Sequence, residues 1–268
     1  MQRSTVLKFG GELLEDADAI NSAAATIVRL SRSEPLVVVH GGGRAIDAEL
    51  RTRGVTPRFV DGVRITDQPT LDAVVSVLAG RTNTSLVAAV GAAGGRAIGL
   101  TGADGLIGLS KRAPVFEAVS GERVDLGLVG DPEPGDMSLL RDLLQIGCIP
   151  IICSIGVDAQ GTLLNVNADL IAAHLAAMLG ARKLIIAGTT PGVLDAGGNG
   201  LPALAVDEID RMAADGAAHS GMLAKLNACR RALMAGVAEV SIVSGRPTTD
   251  MTNAPGTRIV AGAVVQPG

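Results

Sequence analysis

The chain has no tryptophan, no tyrosine and only three phenylalanines, Phe9, Phe59 and Phe116, among its 268 residues. Recognition of nucleic acid by base stacking needs aromatic platforms, and the net charge of −4 has no basic block behind it, so no nucleic-acid partner is expected. A purine bound here would lie between aliphatic side chains and backbone. Cysteine is equally scarce: Cys148, Cys153 and Cys229 form no CxxC pair, which leaves a disulfide framework or a zinc site without ligands and predicts no metal held by the protein itself. No basic and apolar leader opens the chain, and no apolar run reaches the ~20 residues that span a bilayer. The expectation is a cytoplasmic chain with no membrane partner.

Several catalytic signatures are missing as well. There is no Gly-Lys-Ser or Gly-Lys-Thr, which excludes a P-loop nucleotidase. Gly41 and Gly43 give a GxG, but Ile46 stands where a dinucleotide fingerprint needs its third glycine. With only His40, His174 and His219, and neither HExxH nor GxSxG, a histidine-based hydrolase has little to work with. Lysine is rare too. Only Lys8, Lys111, Lys183 and Lys225 occur among 23 basic residues.

Glycine, by contrast, is abundant at 35 residues, placed singly or in pairs behind apolar runs. Two such turns stand out: Val6-Leu7-Lys8-Phe9-Gly10-Gly11 and Val37-Val38-Val39-His40-Gly41-Gly42-Gly43. Glycine removes the Cβ, so backbone N–H groups can approach an anion, and a helix starting after each turn would add the positive end of its dipole. Lys8 adds a mobile point charge suited to a moving phosphoryl group. A single turn of this kind equally well just ends a strand; two turns with a lysine point to a phosphate cradle.

Strand-like runs at 5–9, 36–40, 97–101, 149–154, 183–187 and 239–243 alternate with helical spacing at 17–30, 45–53, 68–80, 84–93, 137–145, 168–179 and 222–234. That order predicts an α/β fold, a three-layer αβα sandwich with a mainly parallel central sheet. Hairpin signals around Gly121 and around 158–161 read as lids or edge elements. The expected organisation is two lobes on one continuous sheet, 1–180 and 181–268. Asn167 and Asp169 fit both an N-cap with a first-turn acid and a binding site.

Lys8-Phe9-Gly10-Gly11, His40-Gly41-Gly42-Gly43, the segment Asp61-Gly62-Val63-Arg64-Ile65-Thr66, Asn165-Val166-Asn167-Ala168-Asp169 and Gly221-Met222-Leu223-Ala224-Lys225 follow one another in the order seen in the amino acid kinase family, which the chain resembles over nearly its whole length. Within that family the likeness is to members that use ATP and Mg²⁺ to phosphorylate the γ-carboxylate of N-acetyl-L-glutamate in arginine biosynthesis. It implies Lys8 and Lys225 on the transferred phosphoryl group, with Asp169 orienting both. It also implies backbone donors at Gly10, Gly11, Gly42 and Gly43, Arg64 on the substrate α-carboxylate, and Asn165 and Asn167 near the amino acid moiety. A nucleotide site would draw on Thr189, Thr190, Gly192 and Leu194, with Ala217 and His219. Residues 1–180 would bind the amino acid and form the dimer; residues 181–268 would bind ATP. Relatives usually carry Asp at the position of Thr189, and many carry Lys at that of Thr84. Only Met1 to Ser4 precede the first strand, where arginine-inhibited relatives carry an extra helix, so a homodimer without arginine feedback is expected. Two other readings stay open: a kinase for N-succinylglutamate or a carrier-linked aminoadipate, and a ligand-sensing paralogue.

Overall fold

Runs of β-branched and aliphatic residues closed by glycine build one eight-stranded sheet in the computed structural model, which describes residues 4–118, 120–195, 197–215, 220–246 and 256–262. In chain order the strands are β1 (Thr5–Phe9), β2 (Leu36–His40), β3 (Ala97–Leu100), β4 (Ile149–Cys153), β5 (Lys183–Gly188), β6 (Ala203–Ala205), β7 (Glu239–Ser244) and β8 (Gly256–Val260). Their order across the sheet is β6-β8-β7-β5-β1-β2-β4-β3. From β3 to β7 every neighbour is parallel; β8 turns back against β7, and β6 runs parallel to β8.

Eight α-helices flank the sheet among the described residues: α1 (Ala17–Ser31), α2 (Gly43–Thr52), α3 (Gln68–Val75), α4 (Thr84–Ala92), α5 (Ser138–Gln145), α6 (Ala168–Leu179), α7 (Val206–Ala214) and α8 (Ser220–Met234). Because side chains alternate along a strand, each central strand feeds two cores. Val6, Val39, Ile152 and Ile186 join residues of α6, α7 and α8 on one face, while Leu7, Phe9, Val38 and Ile185 join residues of α1 and α4 on the other. The result is the three-layer αβα sandwich that the alternation of strand and helix patterns predicts. A smaller sheet of Ile155–Val157, Leu163–Val166, Val129–Pro132 and Ser110–Arg112 stands beside it, with the hairpin Phe116–Glu117 and Arg123–Val124. Val119, at that hairpin, lies outside the described residues.

Two local expectations are corrected. No α-helix starts directly at Gly10-Gly11: a single 3₁₀ turn, Gly11–Leu13, intervenes, and α1 begins at Ala17, where the Asp16 carboxylate accepts from the Ala19 N–H at 2.8 Å. Helix α2 does start at the second turn, with Gly42 as its N-cap. The second correction concerns length. A π-helical stretch, Ser76–Asn83, joins α3 to α4, so Gln68–Ala92 forms a 25-residue helix long and apolar enough to cross a membrane. It packs on α1, α2 and the sheet, and buries the polar Thr82 and Asn83 against them.

Candidate active site

A cleft of about 680 Å³ opens at the carboxyl ends of β1 and β2, where open parallel sheets hold their ligands. Gly11, Gly42 and Gly43 form part of its wall. The two glycine turns touch: a Cβ added to Gly11 would stand 2.6 Å from Gly42 Cα and 2.8 Å from Gly42 N, so no other residue fits without parting them. A Cβ on Gly43, at the first position of α2, would meet nothing within 4 Å. The first turn of α2 thus leaves open space at the end of the helix where backbone N–H groups are free.

Lys8 follows Val6 by two residues on β1, which turns it to the face covered by α6. There Asp169, in the first turn of α6, meets Lys8 Nζ at 2.7 Å, and both side chains are buried. Lys8 is therefore not the mobile charge expected from the sequence, because Asp169 pins it. Asn167 caps the same helix, its Oδ1 accepting from the N–H groups of Asp169 at 2.9 Å and Leu170 at 3.1 Å. Cap and cleft wall are one residue here, since Asn167 also lines the opening.

The second turn is fixed from behind by His40. Its ring is fully buried; Asn83 Nδ2 lies 3.1 Å from Nε2 and the Gly41 carbonyl 3.2 Å from Nδ1. Asn83 also donates to the Ile151 carbonyl at 2.9 Å, so Nε2 accepts and the proton resides on Nδ1. Burial lowers the His40 pKa to about 4, opposed in part by the hydrogen bond to Gly41. His40 is thus a neutral brace and not an acid or base.

Arg64 reaches the cleft from a two-residue hairpin. Asp61 and Gly62 both have positive φ, 45° and 80°, the geometry of an Asp-Gly turn that sets Phe59 opposite Arg64. The guanidinium carbon lies 4.6 Å from the Phe59 ring centroid; Nη1 pairs with Asp47 Oδ1 at 2.7 Å, and Nη2 donates to the Gly43 carbonyl at 3.3 Å. Asn165 completes this wall, donating through Nδ2 to Thr66 Oγ1 at 3.0 Å.

Lys225 lies outside the cleft wall. Its Cε is 3.8 Å from the point that a Cβ on Gly188 would occupy, and the Glu12 carboxylate, which does line the cleft, is 3.5 Å from the same point. Cys229, one turn further along α8, is buried; burial first and the Asp169 carboxylate second push its thiol well above the ordinary range, while Lys225 and Lys8 pull it down. Asp169 and both lysines are thus near enough for their charges to act on this one thiol. The N–H of Gly10 is taken by the Ala187 carbonyl at 2.9 Å, tying β1 to β5. Thr189, Thr190, Gly192 and Leu194 follow β5 and do not line the cleft. Gly192 has φ 123°, and a Cβ there would press on Thr257 Oγ1 at 2.7 Å, so its demand for glycine comes from its backbone angle and from packing on β8. Ala217 and His219 lie outside the described residues.

A sequence model of the amino acid kinase family matches residues 3–244. The chain belongs to the amino acid kinase family. It is 40% identical over 255 residues to the acetylglutamate kinase of Novosphingobium aromaticivorans, covering 91% of this chain and 84% of that protein. Against the acetylglutamate kinase of Methanothermobacter thermautotrophicus it is 39% identical over 255 residues, with 91% and 87% covered. Among solved structures, N-acetylglutamate synthase from Neisseria gonorrhoeae, complexed with coenzyme A and N-acetyl-glutamate, superimposes with a TM-score of 0.82 at 25% identity. That match covers 98% of this chain and 60% of the synthase, so the chain spans less than two thirds of the synthase's length. Carbamate kinase from Giardia lamblia bound to AMP-PNP shares the fold, with a TM-score of 0.72 at 16% identity over 97% of this chain and 99% of that one.

For this amino acid kinase the sequence motifs mark Lys8 with its partner Asp169, and Arg64 without the residues that hold it. Asp47, Phe59, Asn83 and Glu12 carry no motif of their own. Asp47 had one usable signal: it lies one helical turn after Gly43, on the face that Gly43 presents.

Proposed function

We propose that the protein transfers the γ-phosphoryl group of ATP to the γ-carboxylate of N-acetyl-L-glutamate, forming an acyl phosphate. The observation that carries the reading is the buried Lys8–Asp169 pair, 2.7 Å long, on a glycine-lined cleft. The identity to two acetylglutamate kinases supports the choice of substrate. A carboxylate with an ordinary pKa of ~4.3 is already ionised at neutral pH. No general base is needed, and among the described residues the cleft wall carries no histidine. A γ-carboxylate oxygen forms the new bond to phosphorus, the bond to the bridging oxygen breaks, and its electron pair stays on the β-phosphate of ADP. What the protein contributes is alignment and charge. Lys8 faces the transferred group, Asp169 keeps its ammonium there, and the N–H groups at Gly11, Gly42 and Gly43 receive its oxygens. Lys225 approaches from the nucleotide side, and Arg64 takes the substrate α-carboxylate.

Among the described residues no three His, Cys, Asp or Glu side chains converge as a metal site. Mg²⁺ would be carried in by ATP and held by phosphate and water oxygens, with Glu12, a wall acid beside Gly188, facing its water shell. When bound, the ion offsets charge on the β- and γ-phosphates. The nucleotide itself is assigned to 181–268, at the loop after β5, and the amino acid to 1–180. The expected state is a homodimer in the cytoplasm; for the dimer, the Gln68–Ala92 helix, whose apolar window is only 44% buried within one chain, offers a partly uncovered apolar face. Light scattering tests that state, and a monomer would refute it. Hydroxylamine trapping with ATP, Mg²⁺ and a panel of N-acyl glutamates tests the reaction. Hydroxamate with the acetyl compound is the expected product; its formation only with larger acyl groups would reassign the substrate, and none at all would overturn the reading.

A further inference from the structure

Arg64 is held on three sides before any substrate arrives, and one of those holds has an acid at its end. Asp47 lies on α2, behind the cleft wall, and its Oδ1 is 2.7 Å from Arg64 Nη1. The Gly43 carbonyl, one turn earlier on the same helix, takes Nη2 at 3.3 Å, and the Phe59 ring faces the guanidinium carbon. Both partners on α2 belong to the helix whose first residue forms part of the glycine cradle. The guanidinium is thus referenced to the phosphate cradle by a rigid element, although Arg64 itself comes from a short hairpin.

We infer that Asp47 is a positioning residue that fixes Arg64 against α2, so that its unused N–H groups select the α-carboxylate of the acceptor while its γ-carboxylate faces the cradle. This rests on the proposed function above. A guanidinium offers five donors in one plane, and occupying one edge with Asp47 and Gly43 decides where the others point. The distance from the α-carboxylate to the attacking oxygen is set by the substrate, so the angle at Arg64 decides whether that oxygen is aligned. Misplacement of about 1 Å costs up to ~10²-fold in rate. Asp47 touches neither reacting group in this scheme; it acts through Arg64.

The test compares N-acetyl-L-glutamate with N-acetyl-4-aminobutyrate, the same acceptor without its α-carboxylate. For the wild-type chain kcat/KM should favour the glutamate compound by at least ~10²-fold, since a site built to pair a group rejects the analogue that lacks it. Asp47→Asn should narrow that ratio by ~10-fold or more, through a lowered kcat together with a raised KM for N-acetyl-L-glutamate, leaving KM for ATP and the rate on the analogue close to wild type. General damage to the fold would lower both acceptors together and keep the ratio, which would overturn the inference. If Asp47→Asn is too unstable to purify, because it strands a buried guanidinium, the double variant Asp47→Asn/Arg64→Gln removes both charges. It should show the same ratio as Arg64→Gln alone, and a further change would mean that Asp47 acts independently of Arg64. Wild-type protein that phosphorylates neither acceptor sinks the kinase reading itself. Wild-type protein that uses both equally overturns the role of Arg64 and this inference with it, while leaving phosphoryl transfer intact.

Discussion

At the scale of single residues, two buried polar groups do opposite jobs. Lys8 pairs with Asp169 at 2.7 Å in the interior, and the pair is expensive to break from either side. Lys8→Met should cost roughly 3–5 kcal/mol of stability by leaving Asp169 unpaired in the interior. It should also lower kcat by ~10²–10³-fold, more than it raises KM for the acceptor. Urea unfolding beside steady-state kinetics separates the two effects, and a variant that loses stability but keeps kcat would exclude Lys8 from the chemistry. His40 works as a neutral group. Its folded pKa of about 4 lies below the ordinary 6.5, so between these values the unfolded chain binds the extra proton. Stability from this residue is therefore complete above about pH 6.5 and is lost as pH falls toward 4, by roughly 3 kcal/mol in all. Unfolding curves at pH 7 and pH 5 should diverge more for wild type than for His40→Gln. Equal divergence would show that His40 is not held neutral.

At the scale of elements, the two glycine turns are not equivalent. Gly11 is needed for space, because a side chain would meet the Gly42 backbone at 2.6 Å, whereas the Cβ of a residue at 43 would enter open cleft. Gly11→Ala should destabilise by about 1–3 kcal/mol, as overpacking does. Gly43→Ala should leave the unfolding midpoint near wild type and weaken phosphate binding instead. A thermal melt and a nucleotide titration on both variants check this, and the reverse pattern would contradict the geometry. The central strands were legible because parallel strands buried on both faces read as unbroken apolar runs. The pattern is silent for β6, only three residues long, for β8, which exposes Arg258, and for α7, whose single buried residue is Ile209. The absence of a full helix at Gly10-Gly11 was hidden for a related reason: Asp16, five residues beyond Gly11, offers the cap that starts α1, and spacing alone does not rank the two starts.

At the scale of the molecule, strands from 1–180 and from 181–268 meet at the β1–β5 pair in the middle of one sheet. Side chains from both halves therefore face the same end of it. Arg231 on α8 also pairs with Asp131 at 3.2 Å, linking a wall residue of the cleft to the second half of the chain. Packing on this scale decides thiol behaviour. Burial pushes Cys153 up to about 12 and Cys229 higher still, whereas Cys148 is only half-buried. Iodoacetamide should modify one thiol per native chain and three after unfolding, by mass spectrometry; rapid native labelling of Cys229 would contradict the closed α6–α8 packing. Candidate site residues were legible where a motif names them, as with Lys8, Arg64 and Asp169. Their partners were not, since Asp47 and Phe59 become neighbours of Arg64 only through the hairpin register and the placement of α2. The most direct measurement of the whole account is phosphorus NMR of the protein with ATP, Mg²⁺ and N-acetyl-L-glutamate. An acyl-phosphate resonance should grow as the γ-phosphate signal of ATP falls, and Lys8→Arg, which keeps a charge opposite Asp169, should all but abolish it. No such resonance with the wild-type chain, or its growth at the wild-type rate in Lys8→Arg, would contradict the account.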